Sequence, residues 1–319
     1  MNSILKDVDR TSLFPIRHKD IWNAYKIQQA GYWTAEEIDF SNDADDFSKL
    51  SQDEQKYLKY TLIFFANSDI EVNEMINRNL YDEFKALEIR MCYDFQRQME
   101  NIHTETYNLQ IDTLIKDKKE KEDLINAVKN NPIIEQKINF CRKQVLLYNS
   151  IQHKLICQVI FEGIFFASSF ACIYYFKQKG ILKGLTLSNE FISRDENLHY
   201  SFSIMLYNKL EKRLSQAEVA VLFDKALCIE RDFITQALPV RLLGMNADMM
   251  LDYIKFTIDN ILLKLGYDTI HNVSNPLTWM ERLDLQGKTN FFESRESNYQ
   301  SANVLNENKE DIFEVDLNF

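Results

Sequence analysis

From Tyr32 to Asn131 the chain runs for 100 residues without one glycine or proline. Those two residue types are the strongest punctuation a backbone has, so the stretch lacks the usual means of turning sharply. It reads as long helices joined by short polar segments. The rest of the chain is hardly better supplied, with seven Gly and four Pro in 319 residues. The expected fold class is therefore all-α, and the length suits one large domain with a full core or two small ones.

Composition narrows the functional classes. A formal charge of −11 opposes binding to phosphate backbones, so no nucleic-acid partner is expected. Hydrophobic residues at 45% and aromatic residues at 13% fit a packed globular protein. The five cysteines, Cys92, Cys141, Cys157, Cys172 and Cys228, are odd in number and form no Cys-x-x-Cys pair, which suits a reducing compartment. Residues Met1 to Asp20 carry no hydrophobic signal core, so a cytoplasmic protein is expected.

Along the chain, Asp20 to Gly31 reads as a short helix, and Ser51-Gln52-Asp53-Glu54 as the capped start of a longer one. That helix carries Leu58, Leu62, Phe65 and Ala66 on one face and arrives on the same face at Asp69. A second long helix spans about Leu87 to Ile115, Lys116 to Lys129 is a charged, solvated stretch, and Pro132 opens the next helix. Leu155 to Phe176 is apolar enough to cross a bilayer, but Gln158 and Glu162 interrupt it. It reads as the central buried helix of a bundle, with no membrane partner. After the turn at Gly180 and Gly184 comes a helix with Ile192, Asp195, Glu196 and His199, then two more near Ser215–Leu238 and Asn246–Leu265. From Lys288 the composition is that of a flexible tail, ending in the alternation Phe313, Val315, Leu317 and Phe319 among acids. The expected division is a helical domain over 1–287 and a tail over 288–319.

Two copies of Glu-x-x-His stand out: Glu100-Asn101-Ile102-His103 and Glu196-Asn197-Leu198-His199. On a helix, residues three apart lie one turn along and about 300° round, so each pair can address one target. Paired motifs on facing helices are how di-metal carboxylate bundles are built. Asp69 and Glu162, acids on otherwise apolar surfaces, need a partner or a metal. Together Asp69, Glu100, His103, Glu162, Glu196 and His199 supply four carboxylates and two imidazoles, a full ligand set for two ions. Such hard donors suit iron or manganese better than zinc. Tyr107, seven residues after Glu100, returns to within about 20° of it and so sits beside the proposed metals. No glycine-rich phosphate loop and no Ser-His-Asp signal is present, so a nucleotide cradle or a dithiol reductant, if the activity needs either, must belong to another protein.

The segments WTAEEID, FFANSD, MENIHTETY, EGIFFASSF, SNEFISRDENLH, ALPVRLLGMN and GKTNFFESR, in that order, resemble the radical-generating small subunit of class I ribonucleotide reductase, in wording closest to eukaryotic and viral members. The resemblance implies a ferritin-like helical bundle, a homodimer, and a di-iron centre assembled from ferrous iron, oxygen and an electron donor. It implies that Asp69, Glu100 and His103 hold one ion and Glu162, Glu196 and His199 the other. It assigns the stable radical to Tyr107, its apolar surround to Phe166, Phe170 and Ile192, and an electron route to Trp33, Asp195 and His103. It also implies a relay tyrosine at Tyr299 and a docking peptide for the large subunit at Phe313, Leu317 and Phe319. The implied function is the small subunit of ribonucleoside-diphosphate reductase, which stores an oxidising equivalent while the large subunit handles the nucleotide.

Two residues depart from the family's pattern: Glu71, where an apolar residue is usual, and Asn67, where a small one is. Other readings are a different di-metal oxidase or ferroxidase, and a catalytically silent paralogue that stabilises an active partner. The first leaves Tyr107, Tyr299 and the terminal peptide unexplained, and the second should lack ligands that this chain keeps.

Overall fold

The glycine- and proline-free stretch folds as a run of helices, the two longest of them antiparallel. The computed structural model describes residues 4–7, 10–237 and 246–277. Its helices are α1 Lys19–Ala30, α2 Asp43–Ser48, α3 Gln52–Met75, α4 Leu87–Leu114, α5 Lys118–Lys129, α6 Pro132–Tyr148, α7 Ile151–Ile160, α8 Ala167–Gln178, α9 Lys183–Asn208, α10 Gln216–Asp232 and α11 Ala247–Lys264. No strand occurs among the described residues. The described residues lie within one unit, Met1–Thr278, and the tail expected over 288–319 falls outside them.

Local chemistry sets the long helices. Ser51 caps α3 through a box in which its hydroxyl accepts from Glu54 N while the Glu54 carboxylate accepts from Ser51 N. Two orphan amides are thereby satisfied at once. α3 then runs 24 residues and buries Leu58, Leu62, Phe65 and Asp69 on one side. α4 lies against it over 28 residues, with contacts from Asn73 to Asn101 and from Phe65 to Tyr107 showing that the two run in opposite directions. α9 is antiparallel to α4 in turn, since Tyr93 meets Phe202 and Gln110 meets Ser188. Gly184 fixes the start of α9: a Cβ there would stand 2.6 Å from Asp39 O, and Asp43 accepts from Gly184 N and Leu185 N at 3.1 and 2.7 Å.

Two expectations need correction. The charged stretch Lys116–Lys129 is not merely solvated chain but holds α5, capped by Asp117 and anchored by buried Val128 and the Lys59–Glu120 ion pair. The apolar run Leu155–Phe176 is not one regular helix. A π turn, Phe161–Phe165, separates α7 from α8, and two more occupy Ile76–Leu80 and Phe233–Ala237. A π turn fits an extra residue into the helix and re-aims the side chains it carries; here it carries Glu162. The span Ile151–Gln178 is long and apolar enough to cross a membrane, and the protein buries its most apolar 18-residue window completely.

Candidate metal centre

Four segments deliver the proposed ligands. Asp69 comes from α3, Glu100 and His103 from α4, Glu162 from the Phe161–Phe165 turn, and Glu196 and His199 from α9. All six are buried, none more than 2% exposed. Donor atoms of Glu100, Glu162, Glu196 and His199 lie within 4.8 Å of one another, as do those of Asp69, Glu100 and His103. Glu100 belongs to both groups, so its carboxylate would be shared between them if both held an ion. Glu196 also reaches both histidines: its carboxylate lies 3.1 Å from His103 Nδ1 and 3.6 Å from His199 Nδ1.

The donor atoms fit cations. Both oxygens of Asp69, Glu100 and Glu196, Oε2 of Glu162, and Nδ1 of His103 and His199 are buried without a hydrogen bond. Orphaned buried carboxylates are costly, so this cluster of donors is suited to positive ions. Its electrostatics agree. Burial, and then the charge of Glu100, push the Asp69 carboxyl well above its usual range, and burial with the charge of Glu196 does the same to Glu162. For Glu100 burial is outweighed by the two histidines, which hold it below its usual value. His199, although burial opposes its charge, is raised to about 10 by Glu100 and Glu196.

A second ring of contacts orients the ligands. His103 Nε2 lies 3.2 Å from Asp195 Oδ2, so a proton on Nε2 leaves the Nδ1 lone pair aimed at the cluster. Trp33 Nε1 donates to the same Asp195 oxygen at 2.7 Å, and its ring stacks on His103 with centroids 6.0 Å apart. Arg194 holds the other Asp195 oxygen at 2.8 Å and donates to Gly31 O. Burial would raise the Asp195 carboxyl, but Arg194, His103 and Trp33 bring it below its usual value. Glu162 Oε1 accepts from Gln96 Nε2 at 2.7 Å and from Gln158 Nε2.

Tyr107 is 1% exposed and its hydroxyl has no hydrogen bond. Burial, and then the Asp69 charge, keep the phenol protonated far beyond its ordinary value. The ring stacks on Phe65 at 4.9 Å, and Phe65 packs on Phe166 and Phe170 at 5.5 and 4.9 Å. Ile192 is buried on α9, one turn before Glu196.

Phe65, Gln96, Gln158 and Arg194 are site residues that sequence reasoning did not assign. Phe65 shares the Asp69 face and could have been picked out there; Gln158 carried no signal beyond interrupting an apolar run, and Gln96 carried none. Glu71 is turned aside, accepting from Arg142 Nε and Nη2 at 2.9 and 2.6 Å, and Asn67 donates to Ile63 O. Neither touches the cluster. Tyr299, Phe313, Leu317 and Phe319 lie outside the described residues. A cavity of about 410 Å³ lined by Phe140, Val221, Asp224, Lys225, Cys228 and Ile229 includes no member of the cluster.

The family model of the ribonucleotide reductase small chain matches residues 10–276. The chain belongs to the ribonucleotide reductase small-chain family. It is 43% identical over 316 residues to the ribonucleoside-diphosphate reductase small chain of Variola virus, covering 99% of both chains. To that of Yaba-like disease virus it is 44% identical over 308 residues, covering 96% of this chain and 95% of the other. Among solved structures, the Rnr4 ribonucleotide reductase homodimer of Saccharomyces cerevisiae matches with a TM-score of 0.80 at 30% identity, over 89% of this chain and 92% of that one. The R2 subunit from Clostridium botulinum shares the fold, with a TM-score of 0.78 at 18% identity, over 86% and 90% of the two chains. The protein is thus a small subunit of ribonucleoside-diphosphate reductase, an all-helical bundle with a buried carboxylate and histidine cluster.

Proposed function

We propose that this small subunit holds two iron ions between Asp69, Glu100, His103, Glu162, Glu196 and His199 and stores an oxidising equivalent on Tyr107. Manganese is the other metal this oxygen-rich donor set suits. When bound, the ions would supply, with oxygen and an electron donor, the oxidant that a phenol needs to become a radical. The observation that carries the reading is the pair of buried donor groups sharing Glu100, with an unbonded phenol two turns along the same helix.

The chain's own residues then have separate tasks. Tyr107 is the group that would give up an electron and its phenolic proton to that oxidant, and Asp69 is the acid whose charge weighs most on the hydroxyl. Phe65, Phe166, Phe170 and Ile192 exclude water and reductants from the ring. Asp195 fixes the His103 tautomer and joins it to Trp33, giving an electron a bonded route from the N-terminal segment to the cluster. Tyr299 continues that route to the large subunit, and Phe313, Leu317 and Phe319 dock there. The reductase large subunit binds and reduces the ribonucleotide. Similarity to the yeast homodimer supports a homodimer here as well, and burial of the apolar helix in the core supports a protein without a membrane partner.

Anaerobic loading with ferrous iron, followed by oxygen and electron paramagnetic resonance, tests this reading. A tyrosyl signal is expected from the wild-type chain and none from Tyr107→Phe. No signal from protein that has taken up two ions, or its persistence in the variant, would overturn the assignment. Removing residues 311–319 is expected to abolish binding to the large subunit and spare the radical.

A further inference from the structure

Outside the metal cluster, one buried group has no evident reason to be charged. Lys137 on α6 is fully buried, and its Nζ stands 2.8 Å from Glu230 Oε2 of α10. Ser168 Oγ donates to the other Glu230 oxygen. The same ammonium donates to Phe165 O at 2.7 Å and lies 3.3 Å from the Phe233 ring centroid and 4.7 Å from that of Phe64. Desolvating both members of such a pair is expensive, and apolar residues of similar volume often serve stability as well or better. Burial depresses the Lys137 amine to about 8 and raises the Glu230 carboxyl, so neither charge is at ease.

Its location gives the ammonium a purpose. Phe165 closes the π turn that carries Glu162, and a π turn departs from the regular helical ladder. Phe166, the next residue, packs on Phe65, which stacks on Tyr107. Phe64 adjoins Phe65 on α3, and Phe233 opens the π turn that follows α10. One ammonium therefore touches α3, α10's continuation and the Glu162 turn together.

We propose that Lys137, held by Glu230 and Ser168, is a positioning residue for the two-metal centre. Resting on the metal reading above, the proposal is that its bond to Phe165 O holds the π turn in the form that aims Glu162 at the cluster and Phe166 at the wall around Tyr107. Uptake of the ion held through Glu162 then depends on a lysine that touches no metal.

The test separates positioning from stability. Lys137→Met alone leaves Glu230 unpaired and can fail to fold; Lys137→Met/Glu230→Leu replaces the whole pair by apolar side chains, and Ser168→Ala keeps both charges while loosening Glu230. Thermal unfolding and anaerobic titration with cobalt(II), followed by visible absorption, are measured on the full chain. Wild type is expected to take up two ions. The folded double variant should keep its unfolding temperature and bind the first ion normally, while binding the second at least tenfold more weakly with an altered visible spectrum. Ser168→Ala should weaken the second ion two- to threefold. Two ions bound with wild-type affinities and spectrum by either folded variant would overturn the proposal. Failure of wild type to take up two ions would instead overturn the metal reading on which it rests.

Discussion

Two of the buried charged clusters among the described residues are treated oppositely. At the metal cluster, four carboxylates face only two histidines, so acids outnumber the bases that could pair with them. At Lys137 and Glu230 one acid meets one base, with Ser168 O–H and Phe165 C=O completing the set. Both sites stand in the same apolar core, so the contrast is not one of solvent or depth. A charge pair that the protein closes by itself serves architecture; a cluster left short of positive charge is preorganised for ions that come from outside.

Breaking the closed pair should give the largest effect. Lys137→Met is expected to cost about 3–5 kcal/mol in denaturant unfolding because Glu230 is stranded, whereas the double apolar replacement should cost little. Next comes filling the open cluster. Ions at 100 times their dissociation constant should stabilise the chain by about 2.7 kcal/mol per site. Glu162→Gln should remove part of that gain while leaving the metal-free protein no less stable, the reverse of what a removed charge does at Lys137.

A pH series sharpens the comparison further. Lys137 is depressed from 10.5 to about 8 in the folded chain, so between those values the unfolded chain binds more protons. Stability should therefore rise across that window, and the rise should vanish in Lys137→Met/Glu230→Leu, as read by urea midpoints. The smallest expected effect is Tyr107→Phe. Deleting a buried hydroxyl that makes no hydrogen bond should change stability by about 0.5 kcal/mol or less, although the same change is expected to erase the radical.

Much of the cluster could be read before any coordinates, because acids on apolar helical faces contradict their surroundings. Asp69 and Glu162 drew notice for that reason, and helical periodicity alone brought Tyr107 to the side of Glu100. The π turns could not be read. Phe161 to Phe165 is as apolar as its flanks, and the extra residue in the turn depends on what the surrounding helices demand of Glu162. Lys137 was equally silent, since a lysine in the amphipathic run of α6 has the composition of a solvated face and only packing reveals it as interior. α5 was missed because its fourteen-residue neighbourhood, Lys116 to Lys129, offers few apolar positions to set a period.

The contacts of Trp33 carry a last consequence. The segment around Gly31 and Trp33 is fastened to α9 by two bonds, Arg194 to Gly31 O and Trp33 to Asp195. On the route proposed above, those fastenings are also the wiring. A molecule whose first thirty-odd residues have come loose can keep its ions and its oxidised tyrosine yet be electrically insulated. On the proposed route, docking of the N-terminal arm would act as a circuit-breaker, closed only when both bonds are made.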